Sequence, residues 1–290
     1  MRLIPKGGRV PELVEIEVIR RDLEKEIVGR RIKDAEIRPG TNAMKVVRRH
    51  GRRKEVQELL EGAKVEKVER VGKKILFDLD NDHVMIVDLG PAGLLRKTSA
   101  SDEIAPHTHI VIGFTIGGQM RYLDPLKKGE IFVTKRSELE GMDDLRAFLI
   151  DPLEQQVAWQ HFSQLLQDKE MSMKSLLMDE TFIVGLGDIY SDEILFSAGI
   201  RWDRISNQLS SQDVRRLYRA LMETLQDAVK ARGTTYGEPD FVDLHGDPGQ
   251  YQLELKVFER EGEPCRRCRN TVIREKDGKY TTYLCPQCQT

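Results

Sequence analysis

Residues 265–288 read CRRCRNTVIREKDGKYTTYLCPQC and hold all four cysteines of the 290-residue chain. They form two C-x-x-C turns, Cys265-Arg-Arg-Cys268 and Cys285-Pro-Gln-Cys288, with sixteen residues between them. Each turn puts two thiolates at one corner, and a β-hairpin between the turns brings the corners together. That is the pattern of a tetrahedral four-cysteine zinc site. Asp277-Gly278 is a turn signal near the middle, with Thr271-Val-Ile and Tyr280-Thr-Thr-Tyr-Leu as the expected strands. Two disulfides or four free thiols are the alternative, but nothing else in the chain points to an oxidising compartment. A four-thiolate site has no open position, so one Zn2+ there holds a fold and does no chemistry. The hairpin also carries Arg266, Arg267, Arg269, Arg274, Lys276 and Lys279. Cations on a small rigid module point to a phosphate backbone as partner.

Outward from this module, the chain has room for two further domains. No apolar run approaches a membrane span, and the first residues lack the hydrophobic core of a signal peptide. A cytoplasmic protein with no membrane partner is expected. The formal net charge of −2 does not favour nucleic acid by itself. The charge is segregated, however, into Arg30-Arg31, Lys45 to Lys54, Lys64 to Lys74 and the hairpin. Segregated charge can bind nucleic acid whatever its sum. The run Arg48-Arg49-His50-Gly51-Arg52-Arg53-Lys54 reads first as a solvated face.

Residues 11–29 read as a helix, with Pro11 at its start and Gly29 just past its end. Leu13, Ile16, Ile19, Leu23 and Ile27 form its apolar stripe. Residues 31–135 read as β, from the alternation of Lys64-Val-Glu-Lys-Val-Glu-Arg-Val and four later apolar runs beginning at Lys74, Val84, His109 and Gln119. That is enough strand for a sandwich. From about Leu139 the pattern is helical: 154–166, 171–178, a glycine-rich turn Val184-Gly-Leu-Gly-Asp188 opening a helix through Ala198, and 211–231, capped by Ser210 or Ser211 and stopped by Gly233. This layout is a helix–two-turn–helix unit. Residues 233–251 form a long Gly/Pro/Asp-rich loop of the kind that is usually functional or disordered.

At this point the chain resembles the formamidopyrimidine-DNA glycosylase/endonuclease VIII family. Pro11-Glu-Leu-Val-Glu-Ile-Glu17 is similar to the family's amino-terminal P-E-L-P-E-V-E, and Arg70-Val-Gly-Lys-Lys-Ile-Leu-Phe77 to its R-x-G-K strand. Leu177-Met-Asp179 with Val184-Gly-Leu-Gly-Asp-Ile-Tyr-Ser-Asp-Glu193 resembles its L-M-D…G-x-G-N-I-Y-A-D-E segment, and Gly262-Glu-Pro-Cys265 to Cys288-Gln289 its zinc finger. The resemblance implies an α+β fold: an N-terminal β-sandwich with flanking helices over 11–137, a helix–two-turn–helix domain over 138–250 with a lesion-capping loop at 236–250, and a four-cysteine zinc hairpin in 251–290. It implies a monomer acting on double-stranded DNA with damaged bases or abasic sites, as glycosylase and AP lyase. Pro11 would attack the sugar C1′ and form a cationic iminium. Glu12 would move protons, and Lys73 would hold a phosphate or assist proton transfer. Lys174 and the amides at Gly187-Asp188 would clamp phosphates at a helix N-terminus. Taken singly, a Pro-Glu pair is also a helix start, and a lone lysine also a surface charge.

The chain departs from the family in ways that bear on function. Pro11 follows ten residues, and an internal proline nitrogen is an amide that cannot form an imine. The expectation is that the working chain starts at Pro11, with Val10 read from a GTG start and residues 1–10 an untranslated leader. Loss of Arg2, Lys6 and Arg9 then takes the charge from −2 to −5. The family's H-L-G-M-S-G stands here as Asp88-Leu-Gly-Pro-Ala-Gly93, and its D-P-R-R-F-G as Asp124-Pro-Leu-Lys-Lys-Gly129. The Met wedge is therefore Pro91, and the Arg and Phe that probe the partner base are Leu126 and Lys128. Asp188 replaces a phosphate-binding Asn. Tyr280 stands where a hairpin Arg is expected, with Lys279 beside it. A catalytically silent binder of damaged DNA, or a glycosylase for bulky or crosslinked adducts, are the alternative readings.

Overall fold

The computed structural model describes residues 10–39, 43–154, 157–236, 241–278 and 280–290. Helix α1 spans Leu13–Ile27 and buries Ile16, Ile19, Leu23 and Ile27. Gly29 follows with φ +84°, a left-handed stop that favours glycine. Pro11 is not the first helical residue. Glu12 takes the cap position, and Glu15 Oε2 accepts the Glu12 N–H at 3.0 Å. A carboxylate that satisfies an orphan donor therefore opens the helix, two residues later than expected.

Strand β1 (Ile32–Ile37) and helix α2 (Arg53–Leu60) come next, then β2 (Val65–Val71), β3 (Lys74–Leu79), β4 (His83–Asp88), β5 (Leu94–Thr98), β6 (Thr108–Phe114), β7 (Gln119–Leu123) and β8 (Glu130–Lys135). Two antiparallel four-stranded sheets result, in the orders β1-β6-β7-β5 and β2-β3-β4-β8. Ile110, Ile112 and Tyr122 of one sheet share a core with Val68, Phe77, Val87 and Ile131 of the other and with α1. This is the expected sandwich. Helix α2 interrupts the region read as β, because Val56 and Leu60, four apart, are both buried. Arg48 and Arg49 pair with the buried Glu130, so that basic run is partly neutralised from within.

The helices beyond are α3 (Trp159–Gln167), α4 (Met173–Leu177), α5 (Asp188–Ala198) and α6 (Ser211–Lys230). Ser210 caps α6, its hydroxyl accepting from the Asp213 N–H at 3.2 Å. Strands β9 (Ile273–Asp277) and β10 (Tyr280–Leu284) form the antiparallel cysteine hairpin. Thr271 lies outside β9 and makes only an isolated bridge with Pro264.

The chain divides into two compact units: residues up to Arg146 with Arg232–Gln250, and Ala147–Ala231 with Tyr251–Thr290. The expected boundaries, 138–250 and 251–290, therefore differ from the observed division in three places, the first being residues 138–146, which fall in the sandwich unit. Segment 232–250 packs with the sandwich unit because Phe241 and Leu244 enter its core and Arg232 pairs with Asp22 of α1. The cysteine module joins the helical unit because Cys265, Val272 and Cys285 pack with Phe196 of α5.

Candidate active site and metal centre

In the first unit, Pro11 and Glu12 lie buried at the start of α1. Lys73 is not on a strand. It sits partly buried in the two-residue turn Gly72-Lys73 that joins β2 to β3, with Gly72 at φ +56°. Arg70 ties that turn to α1: Nε donates to Glu17 Oε2 at 3.0 Å, and a terminal nitrogen donates to the Gly72 carbonyl at 2.7 Å. Burial pushes the Glu17 carboxyl up, but Arg20, Arg21 and Arg70 outweigh it and hold the group below its usual range. Glu15 was not singled out from the sequence. One of its oxygens takes the Glu12 N–H, and the other takes the Thr234 N–H at 2.9 Å. A single buried carboxylate thus joins the helix start to the base of the 233–251 loop. Pro-Glu-x-x-Glu has capping-box spacing, which is the signal that could have found it. Asp243, also buried, accepts from the amides of His245, Gly246 and Asp247 and pairs with Arg232. Residues 237–240, in the expected capping segment 236–250, lie outside the described residues.

The two altered probe loops of this unit adjoin. A Cβ on Gly90 would stand 2.8 Å from the Gly129 nitrogen. Asp124 is fully buried and organises 124–129, accepting from the Leu126 and Gly129 amides at 2.9 and 2.8 Å. Asp88 accepts from the Gly90 amide at 2.9 Å. Leu126 and Lys128 are left exposed on this stiff turn, with Pro91 half-buried on the loop beside it.

In the second unit, Lys174 does not face solvent. Its side chain is 0% exposed, with Nζ donating to Ser191 Oγ and Asp192 Oδ1 at 2.8 Å each and to the Asp188 carbonyl at 3.3 Å. A direct phosphate contact is closed to it in this structure, because burial next to Asp192 already uses its charge. Asp188 opens α5 and is half exposed, its carboxylate 3.5 Å from Lys174 Nζ. Tyr280 opens β10, paired with Asp277 and partly buried. Lys279 lies outside the described residues.

The four cysteine sulfurs lie within 4.8 Å of one another. Cys265 and Cys288 Sγ are 3.9 Å apart, and Cys268 and Cys285 Sγ 3.4 Å. Tetrahedral zinc with bonds near 2.3 Å needs sulfurs about 3.8 Å apart, so the set fits the ion. Burial works against ionisation of Cys265, but the amides of Cys268 and Arg267 outweigh it and pull the thiol down to about 7. Gln289 steadies the second turn from within, its Oε1 accepting from the Cys285 N–H at 2.9 Å and its Nε2 donating to the Ile200 carbonyl at 3.1 Å. The module binds one structural zinc ion.

Three family descriptions match in order along the chain: the formamidopyrimidine-DNA glycosylase N-terminal domain over 10–131, its H2TH domain over 149–239, and the zinc finger found in FPG and IleRS over 262–290. The formamidopyrimidine-DNA glycosylase of Pelotomaculum thermopropionicum is 34% identical over 280 residues, covering 97% of this chain and 99% of its own. Among solved structures, MutM (Fpg) of Thermus thermophilus is 31% identical with a TM-score of 0.82, covering 96% of this chain and 98% of its own. Lactococcus lactis Fpg in complex with abasic-site DNA is 28% identical with a TM-score of 0.84, covering 96% and 99%. The chain belongs to the formamidopyrimidine-DNA glycosylase family.

Proposed function

We propose that this base-excision-repair DNA glycosylase removes damaged bases from double-stranded DNA and then cleaves the strand as an AP lyase, using Pro11 as nucleophile in a chain that starts there. The free secondary amine of Pro11 attacks the sugar C1′ and the damaged base departs with its bonding electrons. The nitrogen gives up its proton and the ring oxygen leaves C1′ as a hydroxyl (on a pre-formed abasic site water leaves instead), forming an iminium. Its positive charge acidifies C2′–H, and loss of that proton expels the 3′ phosphate by elimination. Glu12 gives a proton to the opening sugar and takes one for elimination. Lys73 holds the phosphate beside the reaction or moves a proton there. Asp188 and Tyr280 meet the DNA backbone, Lys279 supplies charge to it, and Lys174 supports that contact through the first turn of α5.

The observation that carries this reading is the burial of Pro11 and Glu12 together at the start of α1, where the family match begins, at residue 10. Borohydride trapping on abasic-site DNA tests it, because hydride reduces the iminium to a stable amine. A chain beginning at Pro11 should be trapped, with the crosslink at Pro11. The 290-residue chain should not be trapped there, since its Pro11 nitrogen is an amide. No trapping by either form would favour a silent binder of damaged DNA. Equal trapping by both would make another amine the nucleophile, with Lys73 examined first.

A further inference from the structure

The helical unit contains a polar network that the proposed chemistry does not use. Lys174 on α4 reaches the first turn of α5 through the Asp188 carbonyl and Ser191, and Ser191 Oγ donates to the Gly187 carbonyl at 2.5 Å. Lys174 also holds Asp192 Oδ1. Asp192 is fully buried and extends the network into the zinc hairpin: Oδ1 accepts from Thr282 Oγ1 at 2.6 Å, and Oδ2 accepts from the Tyr283 N–H at 2.8 Å. The next residue, Glu193, is also fully buried and accepts from the amides of Lys256, Val257 and Phe258 at 2.9–3.0 Å. Two consecutive carboxylates of α5 thus grip the hairpin module at β10 and at the turn 256–258 that leads into it.

A buried ion pair costs desolvation and is weak as a source of stability, whereas its directional bonds specify one arrangement. In the apolar cluster beside this network α5 contributes Phe196, with Cys268, Tyr283 and Cys288 partly buried against it. Phe196 and Val257 meet Cys265, Val272 and Cys285 in a patch that would tolerate some rotation of the hairpin. Hydrogen bonds to both oxygens of one carboxylate would not.

We propose that Lys174, Asp192 and Thr282 are positioning residues that set the angle of the zinc hairpin against the first turn of α5, so that both present phosphate-binding groups in one preset arrangement. The inference rests on the reading that these two elements meet DNA. Lys174 matters because it fixes which way Asp192 points. With Lys174 present, an Asn at 192 is frustrated in either flip. An oxygen toward Lys174 and Thr282 turns the NH2 against the Tyr283 N–H, and the reverse flip turns the NH2 against the ammonium. With Met at 174, that Asn can accept from Tyr283 and donate to the Thr282 hydroxyl, and the grip returns.

The test compares the full chain with Asp192→Asn, Lys174→Met, the double variant and the milder Thr282→Val. Hydrogen exchange at the Tyr283 amide is followed without DNA. Affinity for a duplex carrying a reduced abasic site is then measured against salt, well below each melting temperature. Each charge variant should expose the Tyr283 amide and weaken binding about tenfold, and the double variant should return to within about threefold of the parent. The slope of log affinity against log salt should become less steep by about one in the single variants, as one phosphate contact is lost. Thr282→Val should shift all readouts the same way by less, and it carries the test should a charge variant fail to fold. Variants that melt earlier but keep the parent's affinity and salt slope would show that the network only stabilises the unit, and would overturn the proposal. A double variant no better than the singles would overturn it too. A parent that does not bind the duplex would instead defeat the DNA reading on which it rests.

Discussion

Glu12 and Glu15, three residues apart, do different work at the same helix start. Glu15 accepts two backbone amides, those of Glu12 and Thr234, and is buried to 1% exposure. Glu12 completes the capping box from its own side, its side chain accepting from the Glu15 backbone while Glu15 fixes its backbone, and a glutamine oxygen can keep that acceptor role. Glu12→Gln, in a chain starting at Pro11, should therefore keep DNA affinity while base excision falls about a hundredfold or more, the usual weight of general acid–base catalysis. Single-turnover excision measured beside binding checks this, and some cleavage of a pre-formed abasic site should survive, since no base need leave. Excision at the parent rate would reduce Glu12 to a helix cap.

At the scale of elements, the cysteine hairpin and the two probe loops are each held from one side. The hairpin's core is small, so metal supplies most of its fold. Cys268→Ser should release zinc and lower DNA affinity at least about tenfold, while the sandwich unit, whose core has no residue in common with the module's among the described residues, keeps its melting transition. Zinc content and calorimetry on the same sample read both. The loops 88–93 and 124–129 are stiffened by Asp88, Asp124 and the Gly90–Gly129 approach, so their side chains are presented rather than adjusted. Leu126 offers no donor to an orphan base. Excision of one lesion opposite A, C, G and T should then differ by no more than roughly tenfold, because the missing contact is the kind worth about 1–3 kcal/mol of discrimination. Pro91→Met, Leu126→Arg and Lys128→Phe together should sharpen the choice. A parent that already discriminates a hundredfold would place partner-base reading elsewhere.

At the scale of the whole molecule, ion pairs that join distant segments give the sandwich unit a pH dependence. Glu17 links α1 to the β2–β3 turn, and Asp243 with Arg232 links the 232–250 segment to α1. Burial raises both carboxyls, but the arginines and, for Asp243, backbone amides outweigh it, and both lie below their usual range. Carboxyls lowered by folding contribute stability that is fully present above their unfolded values, near pH 4, and that is lost as pH falls through the folded ones. The melting temperature of this unit should fall as pH drops below about 4, and Glu17→Gln with Asp243→Asn should flatten that fall. Thermal melts from about pH 7 to about pH 2.5 measure it.

Features read from local spacing needed only the sequence. The α1 stripe, the alternating β2, a serine cap at 210 or 211 and the two C-x-x-C turns are set by neighbours within a few residues, and such periodicities survive in any fold that buries one face. Order along the chain was equally legible, as Pro11-Glu12, the glycine turn before α5 and the zinc finger follow one another as the family requires. The tertiary structure alone decided where charge is used. Lys174 reads as a phosphate ligand by position but is buried against Asp192. Lys73 reads as a strand residue but sits in a turn. Arg232, unremarkable in sequence, pins a loop to α1 more than two hundred residues away through Asp22. Burial and ion pairing depend on which distant segments meet, and desolvation then determines whether a lysine or carboxylate is an exposed contact or an internal support.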